Sequence, residues 1–259
     1  GKPSGARPAE AEFVFAKSVE EIVATLAAGD AAIVAGGMSH AIRRERTGYP
    51  QAKRLVAIAR VPELKELSLD QQGRLKANAA VPLQALYDNA RIRTNWPAID
   101  EALAAVGIVR LRRMITIGGS IGPLIGGFDL PVALLALNSR VSLAAPGGRR
   151  VTTLPALFEQ RLAKNEMVVG IEVDPLPPHS GSSFFKYMAR NVLEIPTVNT
   201  AAAVTVDASG KCVHARVVVG SVSWKPIVLE PQELIAQNYD EALVRRAVQC
   251  VRGLTQPVA

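Results

Sequence analysis

Two glycine-rich stretches punctuate an apolar chain, and each leaves the end of a segment that reads as buried. In AIVAGGMSH, residues 32–40, the run Ala32, Ile33, Val34 and Ala35 stops at Gly36 and Gly37; TIGGSIGPLIGG follows at 116–127. Bare backbone at a strand end lets main-chain N–H groups approach a neighbour unshielded by side chains. A phosphate is one such neighbour, and a plain tight turn is the simpler reading of one glycine pair. Two loops facing each other would enclose a concavity able to hold a pyrophosphate through amide hydrogens, with the hydroxyls of Ser39, Thr116 and Ser120 as further donors. No catalytic side chain is required for that. Two ordinary turns in a glycine-rich fold remain the alternative at this level.

The chain has 259 residues, 49% hydrophobic and 20% charged, enough to bury more than one core. No apolar run approaches the ~20 residues of a membrane span. The N-terminus lacks a basic-then-apolar secretory pattern. The expectation is a soluble, cytoplasmic protein with no membrane span. Cys212 and Cys250 are the only cysteines and form no CxxC pair, so they read as buried thiols, and any redox metal is assigned to a partner. Lys and Arg number 30 against 23 Asp and Glu, a net charge of +7. Aromatic residues make up only 5% and none interleaves the arginines as a stacking platform, which argues against nucleic acid. Solvated faces, or docking onto an acidic partner or anionic cofactor, are the uses left.

Local signals divide the chain. Ser18-Val19-Glu20-Glu21 is a capping box opening a helix to Ala28, with Gly29 as its stop. Strands at 31–35 and 55–58 make the first ~60 residues a small α/β unit. Helices are expected at 81–92 and 97–106, with Pro82 and Pro97 in first turns and Gly107 as a stop. Asp129 is placed to cap a helix running to Leu137. Strands at 140–144 and 167–173 follow, and the proline-rich stretch 175–182 marks the best boundary. Beyond it a separate α+β piece contains a hairpin about Asp207-Ala208-Ser209-Gly210 and a closing helix at 240–251.

The strict GxGxxG and GxxxxGK loops are absent, as are HExxH and any paired Cys/His nucleophile. The histidines at 40, 179 and 214 stand far apart without companions, so none is assigned as a metal ligand or catalytic base.

VAGGMSH followed by RRMITIGGS and FDLPVALLAL resembles the FAD-binding subunit of the xanthine dehydrogenase and carbon monoxide dehydrogenase family of molybdenum hydroxylases. The similarity extends to Phe15-Ala16-Lys17-Ser18-Val19-Glu20-Glu21, to 55–64 and to FFKYMARNVLEIPTVNTAAAV at 184–204. It implies an α+β chain: a two-subdomain FAD-binding fold of the PCMH/vanillyl-alcohol-oxidase type at 1–60 and 61–176, then a C-terminal domain of CO-dehydrogenase flavoprotein type, an antiparallel sheet with helices, at 177–259. It further implies that the loop of Val34, Ala35, Gly36, Gly37, Met38, Ser39 and His40 and the loop of Thr116, Gly118, Gly119 and Ser120 give main-chain donors to the FAD pyrophosphate. Asp129 would bind near the ribose and diphosphate, Lys186 would approach the pyrimidine edge of the flavin, Ile195 would pack by its ring system, and Val168 completes the cofactor-binding set. A cation at that edge would favour the reduced anionic flavin. Arg43, Arg44, Arg110, Arg112 and Arg113 are left as groups for FAD phosphates or for subunit docking.

The resemblance also implies partners: a large subunit with a molybdopterin-type molybdenum cofactor and a small subunit with [2Fe-2S] clusters, as a dimer of heterotrimers in which this chain passes electrons to an external acceptor. Departures from the family pattern are Met38-Ser39, Ser120 in place of the usual Asn, and Leu124-Ile125-Gly126-Gly127-Phe128, which replaces an Ala-Asp-Pro or Ala-Ser-Pro turn with a stretch of greater backbone freedom. A stand-alone FAD oxidoreductase and a flavin-free assembly subunit are the rival readings.

Overall fold

The computed structural model describes residues 11–41, 52–189 and 195–254. Strands β1 (Glu12–Phe15), β2 (Ala31–Val34) and β3 (Arg54–Ala57) form a parallel sheet in the order β1-β3-β2. Helix α1 (Val19–Ala27) crosses between the first two. Its capping chemistry is local: Ser18 Oγ accepts from the Glu21 amide at 3.1 Å, while the Glu21 carboxylate accepts from the Lys17 amide at 2.7 Å, one residue before the expected donor. Val19, Ile22, Val23 and Leu26 bury one face against Val56 and Ile58. Gly29, with φ +84°, turns the chain into β2. The expected strand at 31–35 stops at Val34 because Ala35 already bends.

A five-stranded antiparallel sheet follows, made by β4 (Leu67–Leu69), β5 (Leu75–Asn78), β6 (Arg140–Ala145), β7 (Gly148–Thr153) and β8 (Met167–Val173) in the order β4-β5-β8-β6-β7. β8 is apolar but for Glu172, near its end, because both its faces are covered along most of its length. Met167 and Val169 join the core around α1, whereas Val168, Ile171 and Val173 join the second core. The register slips where Leu143 pairs with Val168 and Ser142 with Gly170, so a bulge at Val169 puts residues three apart on one side.

Helices α2 (Leu83–Tyr87), α3 (Ala90–Asn95), α4 (Pro97–Ala105), α5 (Val109–Met114), α6 (Ile117–Ile121), α7 (Asp129–Ala136) and α8 (Leu154–Gln160) occupy the intervals. The helix expected over 81–92 is two helices. Asn89 accepts from the Arg91 amide at 3.1 Å and so starts a new one. Pro97 takes the first-turn position foreseen for it; Pro82 instead precedes α2 as its N-cap. Asp129 does not cap α7 either: Phe128 is the N-cap, and the Asp129 side chain turns to other partners. Buried Trp96 at the α3–α4 junction donates from Nε1 to the Asp174 carbonyl at 2.8 Å.

The C-terminal sheet has the order β12-β11-β10-β9, from β9 (Ser180–Tyr187), β10 (Val198–Val206), β11 (Cys212–Gly220) and β12 (Ile227–Leu229), with helix α9 (Glu241–Leu254) closing the described chain. At the hairpin Asp207 Oδ1 accepts from the Ser209 and Lys211 amides at 2.8 and 3.0 Å, and Gly210 supplies φ +81°. Phe184, Ala201 and Val218 stand side by side across three strands and enter the same core as Leu103 of α4 and Leu134 of α7. The piece expected to be separate therefore shares its interior with the middle of the chain. Two residues further along that face the register aligns Lys186, Asn199 and Gly220, and this carries Lys186 and Asn199 to Asp129 at the start of α7.

Candidate functional site

After β2 the backbone bends through Ala35, Gly36 and Gly37 and turns helical at 38–41. Gly36 is a packing requirement: a Cβ there would lie 1.5 Å from the Met114 carbonyl oxygen. Gly37 is a conformational one, with φ +78° and open space where a Cβ would stand. Among the described residues, the amides of Gly36, Gly37, Met38 and Ser39 have no acceptor. His40 donates from Nε2 to the Ile33 carbonyl at 2.7 Å.

The second stretch is built differently. It is not one loop, since α6 lies inside it, with Thr116 as N-cap accepting from the Gly119 amide at 3.2 Å. Ile117 donates to Val81, Gly118 to Ala79 and Ser120 to Thr116, at 3.0, 2.9 and 2.9 Å. Gly118 is glycine because a Cβ would sit 2.7 Å from that of Ala79. The Ser120 hydroxyl is committed to the Thr116 carbonyl at 3.0 Å. What this segment still offers is the Thr116 hydroxyl proton, because Oγ1 uses only a lone pair in its cap. Ser39 Oγ reaches the Gly119 carbonyl at 3.4 Å and links the two segments.

Two adjoining cavities meet at that link. The larger, about 420 Å³, is lined by Ala35, Gly36, Gly37, His40, Thr116, Gly118 and Val168 together with apolar Ile33, Leu162 and Met167. The smaller, about 200 Å³, is lined by Ser120, Asp129, Lys186 and Ile195 with Leu83, Leu111 and Phe128. Met38, Ser39, Ile115 and Gly119 line both. Of the candidate site residues only Val34 lines neither; its carbonyl accepts from the Ile58 amide at 3.0 Å.

In the smaller cavity Lys186 Nζ lies 2.8 Å from Asp129 Oδ2, each side chain with 7% of its surface exposed. Lys186 also donates to the Ala105 carbonyl at 3.2 Å, and Asn199 Nδ2 donates to Asp129 Oδ1 at 2.9 Å and to the Gly127 carbonyl at 3.3 Å. Lys186 is thus no solvated strand-end lysine. Burial pushes the Asp129 carboxyl above the ordinary carboxylate range, against the lowering effect of Lys186 and Asn199.

The remaining expectations divide. Arg112 is spent on Gln84 Oε1, the Val106 and Gly107 carbonyls and the Tyr87 ring; Arg110 and Arg113 line neither cavity, and Arg43 and Arg44 lie outside the described residues. The freedom expected at 124–128 is not found. The Gly126 carbonyl accepts from Ser221 at 3.1 Å, and a Cβ on Gly126 would lie 2.9 Å from the Lys225 backbone, so these glycines dock the turn onto the β11–β12 connection. Sequence reasoning passed over Asn199, legible only once β10 is in register with β9. It also passed over Glu166, held by Arg150 at 2.7 and 3.0 Å and lining the larger cavity. Nothing local marks Glu166.

Residues 9–176 match the family described as the FAD binding domain in molybdopterin dehydrogenase, and residues 183–259 match the CO dehydrogenase flavoprotein C-terminal domain. The 6-hydroxypseudooxynicotine dehydrogenase complex subunit alpha of Paenarthrobacter nicotinovorans is 32% identical over 226 residues, covering 82% of this chain and 73% of that one. The nicotinate dehydrogenase FAD-subunit of Eubacterium barkeri is 25% identical over 210 residues, covering 78% and 70%. In fold the chain matches carbon monoxide dehydrogenase from Hydrogenophaga pseudoflava with a TM-score of 0.89 at 24% identity, over 98% of this chain and 90% of that chain. This chain belongs to the family of FAD-binding subunits of molybdopterin dehydrogenases, and is an oxidoreductase subunit of that kind.

Proposed function

We propose that this chain carries FAD across the two adjoining cavities and, as the medium subunit of a cytoplasmic molybdenum hydroxylase, passes electrons from [2Fe-2S] clusters of a small partner subunit to an external acceptor. A large molybdenum subunit would choose and oxidise the substrate, with the complex a dimer of heterotrimers. The observation that carries the cofactor assignment is the group of amides at Gly36, Gly37, Met38 and Ser39 that have no acceptor among the described residues, at the junction of two cavities. Amide hydrogens without partners are costly to leave so and suit an anionic diphosphate.

In this reading Gly36 to Ser39 bind the diphosphate and the Thr116 hydroxyl adds a donor. Ala35, His40, Gly118, Gly119 and Val168, with Ile33 and Leu162, close around the larger end. Ile195, Ser120, Lys186 and Asp129 stand at the smaller. The three-part division at 1–60, 61–176 and 177–259 follows the same reading, with the last part contributing Lys186 and Ile195. Bound flavin supplies the redox chemistry. The chain orients it, shields it from water and sets the charge around it.

Titrating the flavin-free chain with FAD and following the flavin fluorescence tests the cofactor assignment. Stoichiometric uptake whose affinity falls at least about tenfold in Gly37→Val is the expected result, and equal uptake by both proteins overturns it. Co-expression with the molybdenum and iron–sulfur subunits tests the assembly. A yellow chain that stays monomeric and turns over substrate alone would replace that part of the proposal with a stand-alone oxidoreductase.

A further inference from the structure

The Lys186–Asp129 pair has a feature that cofactor binding alone does not demand. Among the described residues, Asp129 and Lys186 are the titratable groups in the lining of the smaller cavity, and their charges cancel. Charged neighbours on the surrounding elements stay out of this lining: Glu101 of α4 accepts from the Ser183 hydroxyl and the Phe184 amide, Asp100 pairs with Arg93, Arg112 of α5 bonds Gln84 and two carbonyls, Arg216 of β11 pairs with Glu230, Lys225 pairs with Glu159, and Arg110 and Arg113 of α5 line neither cavity. A ligand in this cavity that gains negative charge thus finds its countercharge already neutralised.

Resting on the FAD reading above, with the flavin ring placed in the smaller cavity beside Lys186 and Ile195, we infer that Asp129 takes up a proton when the flavin is reduced, releasing the Lys186 charge to balance the anionic reduced ring. The step balances. Two electrons, delivered singly by an iron–sulfur donor or by dithionite, and one proton convert neutral oxidised flavin to its anionic reduced form; a second proton converts the Asp129 carboxylate to the acid. Cavity and flavin together are neutral before and after, and an uncompensated charge in a buried site is what this avoids.

Two observations on Asp129's surroundings favour it as the proton's destination. Burial already raises its affinity for a proton. Asn199 Oδ1 is buried without a partner among the described residues, and rotating that amide would present this oxygen to the new O–H. Asp129 is a positioning residue in this scheme, since it acts on the flavin through Lys186.

Reduction of the FAD-loaded chain with dithionite at neutral pH, followed by infrared difference spectroscopy, reads the step directly. A protonated-carboxyl band should appear in the reduced state, shift on carboxyl-13C aspartate labelling and vanish in Asp129→Asn. Proton uptake, measured with an indicator dye and corrected for the protons that dithionite oxidation itself releases, should fall by half in that variant, from two protons per two electrons to one. A chain that takes up no FAD overturns both readings. FAD bound with no labelled carboxyl band in the unsubstituted chain overturns this inference and leaves the FAD assignment standing.

Discussion

The glycine pairs at 36–37 and 118–119 look alike as text and differ in what they leave available. Around the first, four successive amides have no acceptor among the described residues, and Gly37 has open space beside it. Around the second, the amides from Ile117 to Ser120 are all bonded within the chain, and Gly118 is pressed against Ala79. The first pair is a donor surface and the second a shoulder that shapes it. A glycine shows where a side chain cannot go; only the hydrogen-bond partners show whether the bare backbone faces a ligand or another piece of the fold.

Four substitutions break or sharpen that contrast. Gly36→Val should have the largest effect, because its side chain would enter the Met114 carbonyl: a loss of about 3 kcal/mol or more, read as a fall in melting temperature of roughly 10 °C or as insoluble protein. Gly37→Val has room but the wrong backbone angle, costing about 1–2 kcal/mol, and it should weaken FAD binding at least about tenfold by calorimetric titration. Thr116→Ala removes a helix cap worth about 1 kcal/mol, visible in a denaturant melt, with Thr116→Ser restoring it. Gly119→Ala should be nearly silent, within about 0.5 kcal/mol, since a Cβ there meets only Thr116 Oγ1 at 3.2 Å. If Gly119→Ala strips flavin as thoroughly as Gly37→Val, the contrast between the two segments is wrong.

Local chemistry was readable in advance. The Ser18 cap, the hairpin at Asp207, the closing helix and both glycine stretches each depend on residues close together in sequence. The α+β class and the family were also legible, from motifs in the right order. What escaped depends on distant partners. Asp129 has every local mark of a helix cap, yet Lys186 and Asn199, brought by strands β9 and β10, bind its carboxylate instead. The amides of Gly118 and Ile117 looked available until Ala79 and Val81 arrived across the fold. Strands β4 and β5 alternate apolar and polar residues but over only three and four positions, and β7, GRRVTT, is polar for most of its length, so alternation gave no usable signal. At 124–128 the glycines suggested looseness, when they mark the closest backbone approach to the C-terminal sheet.

The walls of the smaller cavity come from Met38 and Ser39, from Leu83, from residues between Val106 and Leu130, and from Lys186, Ile195 and Pro196, parts of the chain that meet only when the last sheet has settled on α4 and α7. A molecule lying there is a clasp. It cannot be gripped by a half-finished chain, and once gripped it resists the lifting away of that sheet. At a hundredfold excess over its dissociation constant such a clasp is worth about 2.7 kcal/mol to the native state, so the molecule proposed to carry electrons would also certify that the chain around it has finished folding.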